Sequence, residues 1–360
     1  MKNIDVRAIP AEYKKAVAKK LRGTVAEVSY SVRNYINQSR QLVTNQNIDA
    51  KEAGRATAKG EAIIKKCNIY LPAGYDENDK DAKYNVLYLL HGVGGNRYEW
   101  LNGSGIVDDN FIICNVFDNL IEKGNIDPMI IVFPEGRSSH DWTDCSFNSE
   151  GTNMLGFYYF DYELRYDLIP FIESSYNTYS NIKDRSSEGV AFNRMHRAIG
   201  GLSMGGMQSL NLIVGGYRCD SIEYTKAKNE WRNGLDTTVL APGMEDLFAY
   251  VGAFSNAPTS SEGKILGASI ASCGYNLPLL YITCGDKDGI AVESGYERAV
   301  NGLIETAGDN IRDCYQILIK GGVHDFNVWN NGAYNFVRLA FGKSGEHSVP
   351  YIVKMSLDLH

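Results

Sequence analysis

The sequence predicts an α/β protein, with a mostly parallel central sheet, helices on both faces and an N-terminal β-hairpin. Three observations carry this. Six short continuous apolar runs recur between residues 84 and 322, and strands apolar on both faces are those of a buried parallel sheet. The segments between them space their apolar residues as helices do. The chain has 360 residues, 44% hydrophobic and 22% charged, enough to bury one large core.

The elements follow in order. Residues 1–22 are a polar lead-in. "GTVAEVSYSV" (23–32) alternates with period two, and "AIIKKCNIYLP" (62–72) is the second strand of the hairpin. The polar stretch 37–60 between them exceeds the ~12–15 residues of an ordinary structureless connection, so an exposed loop with a short helix or mobility is expected. The buried strands are "YNVLYLLHG" (84–92), "PMIIVFP" (128–134), "HRAIGGLS" (196–203), "AYVGAFS" (249–255), "LPLLYITCG" (277–285) and "CYQILIKGG" (314–322). Helical spacing marks 161–176, 205–216, 294–308 and 329–341. Residues 217–246 are polar and irregular and read as an insertion; 343–360 read as a C-terminal tail. With no repeat or low-complexity linker, 23–342 is expected to be one domain.

Bulk properties exclude several roles. The formal net charge is −7 and basic residues cluster no further than pairs such as Lys65-Lys66, which disfavours nucleic acid as a partner. No stretch approaches the ~18 apolar residues of a membrane span, and the N-terminus lacks the apolar core of an export signal. The chain is therefore expected either to be cytoplasmic or to be a form without its signal. Seven cysteines are scattered with no C-x-x-C spacing, which argues for buried thiols, with one disulfide left open, rather than a zinc site. The 23 tyrosines suit a sugar or aromatic ligand as well as core edges.

The chemistry starts at "AIGGLSMGG" (198–206). Gly201 to Gly205 form a Gly-x-Ser-x-Gly where an apolar strand meets a helix, the context of a nucleophile elbow at Ser203. A serine hydroxyl needs a base. Of six histidines, His324 follows the last strand and so lies at the sheet edge where Ser203 lies. His91 precedes the serine, His140 and His196 have no strand-end position after it, and His347 and His360 belong to the tail. The order nucleophile, acid, histidine is that of α/β-hydrolases. Asp286 and Asp288 both follow the penultimate strand, and Asp288 is favoured; Asp325, beside His324, should point elsewhere. An oxyanion hole needs two backbone N–H groups. Met204 follows the nucleophile, and Val93 lies in the glycine-rich loop "HGVGG" (91–95). His91 reads as a residue that shapes this loop.

These stretches, with "LYLLHGVGGNRYEW", "YVGAFSNAP", "CGDKDG" and "GGVHDFNVWNNGAYNF", resemble carbohydrate esterase family 1, the feruloyl and acetylxylan esterases and their esterase D relatives. The resemblance covers roughly residues 20–342 and implies an α/β-hydrolase fold. It implies the triad Ser203, Asp288 and His324, with Asp288 picked by the family's Gly-x-x-Asp turn counted from Gly285, and the oxyanion donors Val93 and Met204. It departs from the family at 37–60, 217–246 and the tail. The insertion, reached by a helix running away from Ser203, is expected to be an interaction or stabilising element. The loop 137–160 begins at the catalytic edge and is the expected substrate wall, with Trp142 and His140; Trp100 and Trp329 follow other catalytic loops. The implied reaction is hydrolysis of feruloyl esters on plant polysaccharide or oligosaccharide outside the cell, without metal or organic cofactor. The alternatives are an acetylxylan or esterase D-type enzyme and, in another class, an inactive carbohydrate-binding protein.

Overall fold

The computed structural model describes residues 5–38, 62–146, 152–218, 240–342 and 350–359. Strands β1 (Thr24–Arg33) and β2 (Ala62–Leu71) pair antiparallel from Thr24↔Leu71 to Arg33↔Ala62. Then come β3 (Asn85–Leu90), β4 (Met129–Phe133), β5 (Arg197–Leu202), β6 (Tyr250–Phe254), β7 (Leu277–Gly285), β8 (Ile311–Ile319) and β9 (Tyr351–Leu357). The sheet order is β1-β2-β4-β3-β5-β6-β7-β8-β9. β2 meets β4 antiparallel, and every pair from β4 to β9 is parallel.

Period-two alternation explains why the central runs read as continuously apolar. In β3, Val86, Tyr88 and Leu90 enter one hydrophobic cluster, and Leu87 and Leu89 enter the other. Helices cover both faces, so neither set meets water. One cover includes the helical segments Phe160–Glu163, Leu164–Leu168 and Ile169–Ser175, and the run Met204–Gln208 with Ser209–Gly215 that leaves β5. The other includes Ile112–Glu122 and Phe326–Phe341. The lead-in packs on this second side, where Tyr13 stacks edge-on with Tyr334 and donates its hydroxyl to Asn125 Oδ1 at 2.6 Å.

The segment after Gly342 departs from expectation. From Tyr351 it is an edge strand rather than a tail, in register from Asp313↔Tyr351 to Ile319↔Leu357. Tyr351, Val353 and Leu357, on one face of it, pack on the second cluster, and that burial holds the strand to β8. The predicted helix 294–308 is broken. Val292–Glu297 and Arg298–Val300 are followed by Leu303–Ala307, with Gly302 at φ +74° between them.

Most of the 37–60 loop lies outside the described residues, as do 219–239 of the 217–246 segment. Tyr217 and Leu240 bridge antiparallel, so the two ends of that segment lie side by side. Arg218 forms a buried two-bond pair with Asp161 at 2.9 and 2.8 Å. Cys67, Cys114, Cys145, Cys273, Cys284 and Cys314 are free thiols; Cys219 lies outside the described residues. No described helix is long and apolar enough to cross a membrane.

The topology also locates the site. β4 and β5 flank β3, so the chain leaves β3 to one side and returns to the other. The crevice at such a switch point, beyond the carboxyl ends of the strands, is where open α/β sheets bind ligands.

Candidate active site

Ser203 occupies that crevice, between β5 and the helix beginning at Met204. Its backbone is strained, at φ +50° and ψ −114°, a conformation L-residues seldom adopt. The flanking glycines permit this turn. A Cβ on Gly201 would lie 2.5 Å from the Gly205 carbonyl carbon. One on Gly205 would lie 2.6 Å from His91 O and 2.7 Å from Leu90 O. Backbone atoms cannot swing aside, so both positions require glycine.

His324 follows β8, and its ring joins the other two groups. Nε2 lies 3.1 Å from Ser203 Oγ and Nδ1 lies 2.7 Å from Asp288 Oδ2. Trp329 packs edge-on against the imidazole, centroids 5.0 Å apart. Asp325 accepts the Asn327 and Val328 N–H groups as the cap of the Phe326–Phe341 helix.

Asp288 is fully buried. Its Oδ1 accepts the N–H groups of Ile290 at 3.1 Å and Ala291 at 3.0 Å. Burial pushes the carboxyl up. Hydrogen bonding and charge from His324, with the Ser255 hydroxyl and the Ala291 N–H, outweigh it, so the group ends below its ordinary value. Asp286 instead accepts the Gly321 N–H at 2.8 Å in an exposed turn.

The loop after β3 passes over the nucleophile. A Cβ on Gly92 would lie 3.1 Å from Ser203 Cβ and 3.6 Å from its Oγ. Among the described residues no acceptor takes the Val93 N–H. The Met204 N–H, at the first position of a helix, has no intrahelical acceptor. Both donors therefore remain available beside Ser203. His91 is fully buried, with Nδ1 2.7 Å from Gly92 O and Nε2 2.5 Å from Glu135 O. Burial, then the Arg137 charge, pushes it down to about 3. Its ring lies between the Gly92 and Glu135 main-chain oxygens and so holds the loop.

Sequence reasoning missed Glu99, whose Oε2 accepts the Gly92 N–H at 2.8 Å. Nothing in its spacing distinguishes it from any acid in a first helical turn. It also missed Ile290 and Val323, 55% and 46% exposed, which give the triad apolar flanks two residues after Asp288 and one before His324.

The aromatic expectations divide. Trp100 is 1% exposed, donates Nε1–H to Leu90 O at 2.8 Å and packs on Phe254 and Phe326. It is a core residue beneath the site, and the expected ligand contact is corrected: the helix Glu99–Ser104 turns this ring inward. Trp329 is 7% exposed and backs His324. Trp142 is half-buried, with the Arg97 guanidinium 5.7 Å from its ring centroid, and His140 is exposed. Among the described residues no group of histidine, cysteine, aspartate or glutamate could hold a metal ion.

A serine, a histidine and a buried carboxylate at the carboxyl edge of this sheet define an α/β-hydrolase. A model of the family described as putative esterase matches residues 64–217. Endo-1,4-β-xylanase Y of Acetivibrio thermocellus is 36% identical over 166 residues, covering 45% of this chain and 13% of that protein. The endo-1,4-β-xylanase/feruloyl esterase of Xylanibacter ruminicola is 32% identical over 269 residues, covering 74% of this chain and 28% of that protein. The chain thus spans between an eighth and a third of the length of the curated relatives it matches. A carbohydrate esterase family 1 ferulic acid esterase from Anaeromyces mucronatus, in complex with ferulic acid, superposes with a TM-score of 0.60 at 20% identity, covering 93% of this chain and 97% of that one. At that identity the likeness is one of fold, and the fold is the one the resemblance implied.

Proposed function

We propose that this protein is a serine carboxylic-ester hydrolase acting on feruloyl or related hydroxycinnamoyl esters of plant cell-wall polysaccharide. The observation that carries the chemistry is His324, bridging Ser203 Oγ at 3.1 Å and Asp288 Oδ2 at 2.7 Å.

The Asp288 carboxylate fixes the proton on Nδ1, leaving the Nε2 lone pair toward Ser203. Ser203 Oγ attacks the ester carbonyl carbon as its proton passes to Nε2. The Val93 and Met204 N–H groups receive the charge that develops on the carbonyl oxygen. Collapse of the tetrahedral species breaks the bond to the leaving alcohol, which takes the proton from Nε2. Water then gives a proton to Nε2, attacks the acyl-enzyme, and releases the acid with Ser203 restored. Asp288 stabilises the imidazolium in both halves. Every proton has a place on these residues.

The substrate rests on kinship: the relative named as a xylanase/feruloyl esterase and the fold shared with a ferulic acid esterase. Half-buried Trp142, beside Arg97, suits a flat acyl group or a sugar. The polymer is insoluble and outside cells, and we place the enzyme there with it. We assign the activity to residues 23–342.

The test is hydrolysis of methyl ferulate beside 4-nitrophenyl acetate by the wild type and Ser203→Ala. Turnover of both esters, with ferulate favoured and both lost in the variant, is expected. Acetate turnover without ferulate turnover would retain the triad and replace the acyl group. Activity undiminished in Ser203→Ala would remove the nucleophile. Absence of both activities and of fluorophosphonate labelling in the folded wild type would leave a binding protein.

A further inference from the structure

The turn that carries Val93 is gripped at both ends by charged side chains. The Gly95 N–H donates to Gly92 O at 3.2 Å and closes the turn. Gly94 stands at φ +76° in its third place, where a type II turn requires glycine. At the first end, the Gly92 N–H donates to Glu99 Oε2 at 2.8 Å. At the other end, Gly95 O accepts from Arg137 Nη1 at 2.7 Å. Val93 lies between the two grips.

Arg137 reaches beyond this turn. It is fully buried, and Glu135 Oε1 meets its charge at 2.7 Å from Nη2. The same Nη2 lies 3.3 Å from Trp142 O and 3.3 Å from Cys145 Sγ. Both residues belong to the loop that begins at the catalytic edge. The two loops also adjoin, since a Cβ on Gly94 would lie 3.8 Å from Cys145 O. One guanidinium thus joins the end of β4, the oxyanion turn and the Trp142 loop. Pairing with Glu135 needs only one of these bonds. The others go to the two loops, and a rigid fork of donors can span them where a single ammonium cannot.

We propose that Arg137 is a positioning residue that ties the oxyanion turn to the loop of Trp142, so that the oxyanion donor and the wall facing the acyl group are held as one unit. This rests on the reading that Val93 donates to the oxyanion and that Trp142 faces the acyl group. It deepens that reading by naming a residue that touches neither substrate nor nucleophile yet sets both rate and acyl preference. Loss of the bond to Gly95 O frees the turn on one side and misplaces the Val93 N–H, which lowers kcat for every ester. Loss of the bonds to the Trp142 loop loosens the wall, which raises KM only for an ester whose acyl group is large enough to reach it.

The test compares Arg137→Lys and Arg137→Gln with the wild type on 4-nitrophenyl acetate and methyl ferulate, with Ser203→Ala in parallel and circular dichroism as the check on folding. Arg137→Lys keeps a cation beside Glu135 and Arg137→Gln keeps a donor without the charge, so either one that folds decides the matter. We expect kcat to fall on the order of tenfold on both esters. KM should rise several-fold for ferulate and stay near wild type for acetate. A loss of packing alone would not divide the two esters in this way. Arg137→Lys combined with Glu99→Ala should lose less kcat than the product of the two single losses, because both groups grip one turn. An unchanged kcat on acetate would overturn the proposal. So would a ferulate KM that moves no more than the acetate KM, or a double variant that loses the full product. If Ser203→Ala retained activity, the triad reading itself would fail. An inactive Ser203→Ala beside a fully active Arg137→Lys would fail this inference alone.

Discussion

Glu99 accepts the backbone N–H of Gly92 at 2.8 Å, one residue before the candidate oxyanion donor Val93. The carboxylate thus fixes the peptide that orients the Val93 N–H. Burial raises Glu99 above its ordinary value, against the Gly92 bond and the charges of Arg137 and His324, which lower it. Glu99→Ala should free the loop and reduce kcat about tenfold, less than the ~10²–10³ lost when an oxyanion donor is removed outright. KM should change little. Glu99→Gln keeps a carbonyl acceptor for Gly92 and should remain near wild type. Steady-state kinetics on one ester distinguish the two.

Asp288→Asn should be folded and nearly inactive. The amide oxygen can still accept the N–H groups of Ile290 and Ala291, now made to Oδ1. The amide nitrogen then faces His324 Nδ1 and requires a lone pair there, which moves the ring proton to Nε2. A protonated Nε2 cannot accept the Ser203 proton, and kcat should fall about 10³–10⁴-fold. The native carboxyl is depressed, so its contribution to stability is present above the unfolded value near 3.8 and lost as pH falls through the folded one. Acid unfolding of the two proteins, followed by circular dichroism, should converge at low pH.

Much of this site was legible because one topological fact orders it. Parallel strands end on one side, so Ser203, Asp288 and His324 could be brought to one edge from their places after apolar runs. What was not legible depends on directions that sequence does not carry. Trp100 follows a catalytic loop as Trp142 does, yet its helix turns it into the core. Glu99 acts through one hydrogen bond to the Gly92 N–H, which leaves no spacing signal. Strand β9 carries Lys354 and Ser356 among its apolar residues and is buried on one face only, so it lacked the continuous run that marked its neighbours.

The contrast between the two tryptophans is measurable. Trp142→Ala should raise KM for methyl ferulate several-fold and leave 4-nitrophenyl acetate nearly unchanged, because a half-buried ring at the loop offers area to an aromatic acyl group. Trp100→Phe should treat both esters alike. It loses the Nε1–H bond to Leu90 O and some packing, so its effect should be a stability lowered by about 1–2 kcal/mol, read as a lower Tm. An equal loss on both esters for Trp142→Ala would remove that residue from the acyl pocket.

Stability should also fall with rising pH through one half-buried acid, Asp167. Asp167 accepts the Tyr35 hydroxyl at 2.5 Å and the Arg33 N–H at 3.3 Å. Burial pushes its carboxyl up to about 7, the Tyr35 bond opposes this, and the Glu163 charge adds to it. An acid raised on folding holds its proton in the native state when the unfolded chain has already released it. Stability therefore declines as pH rises from the unfolded value near 4 toward 7, and the cost of the buried charge is complete above that. Asp167→Asn removes the titration and retains an acceptor for Tyr35. It should be no more stable than the wild type at pH 5 and more stable at pH 8, with the difference between the proteins changing by about 2 kcal/mol across that interval. Paired urea titrations at the two pH values give the difference directly. A difference that does not change with pH would mean that Asp167 is ionised throughout, with the Tyr35 hydroxyl and the Arg33 N–H sufficient to hold its charge.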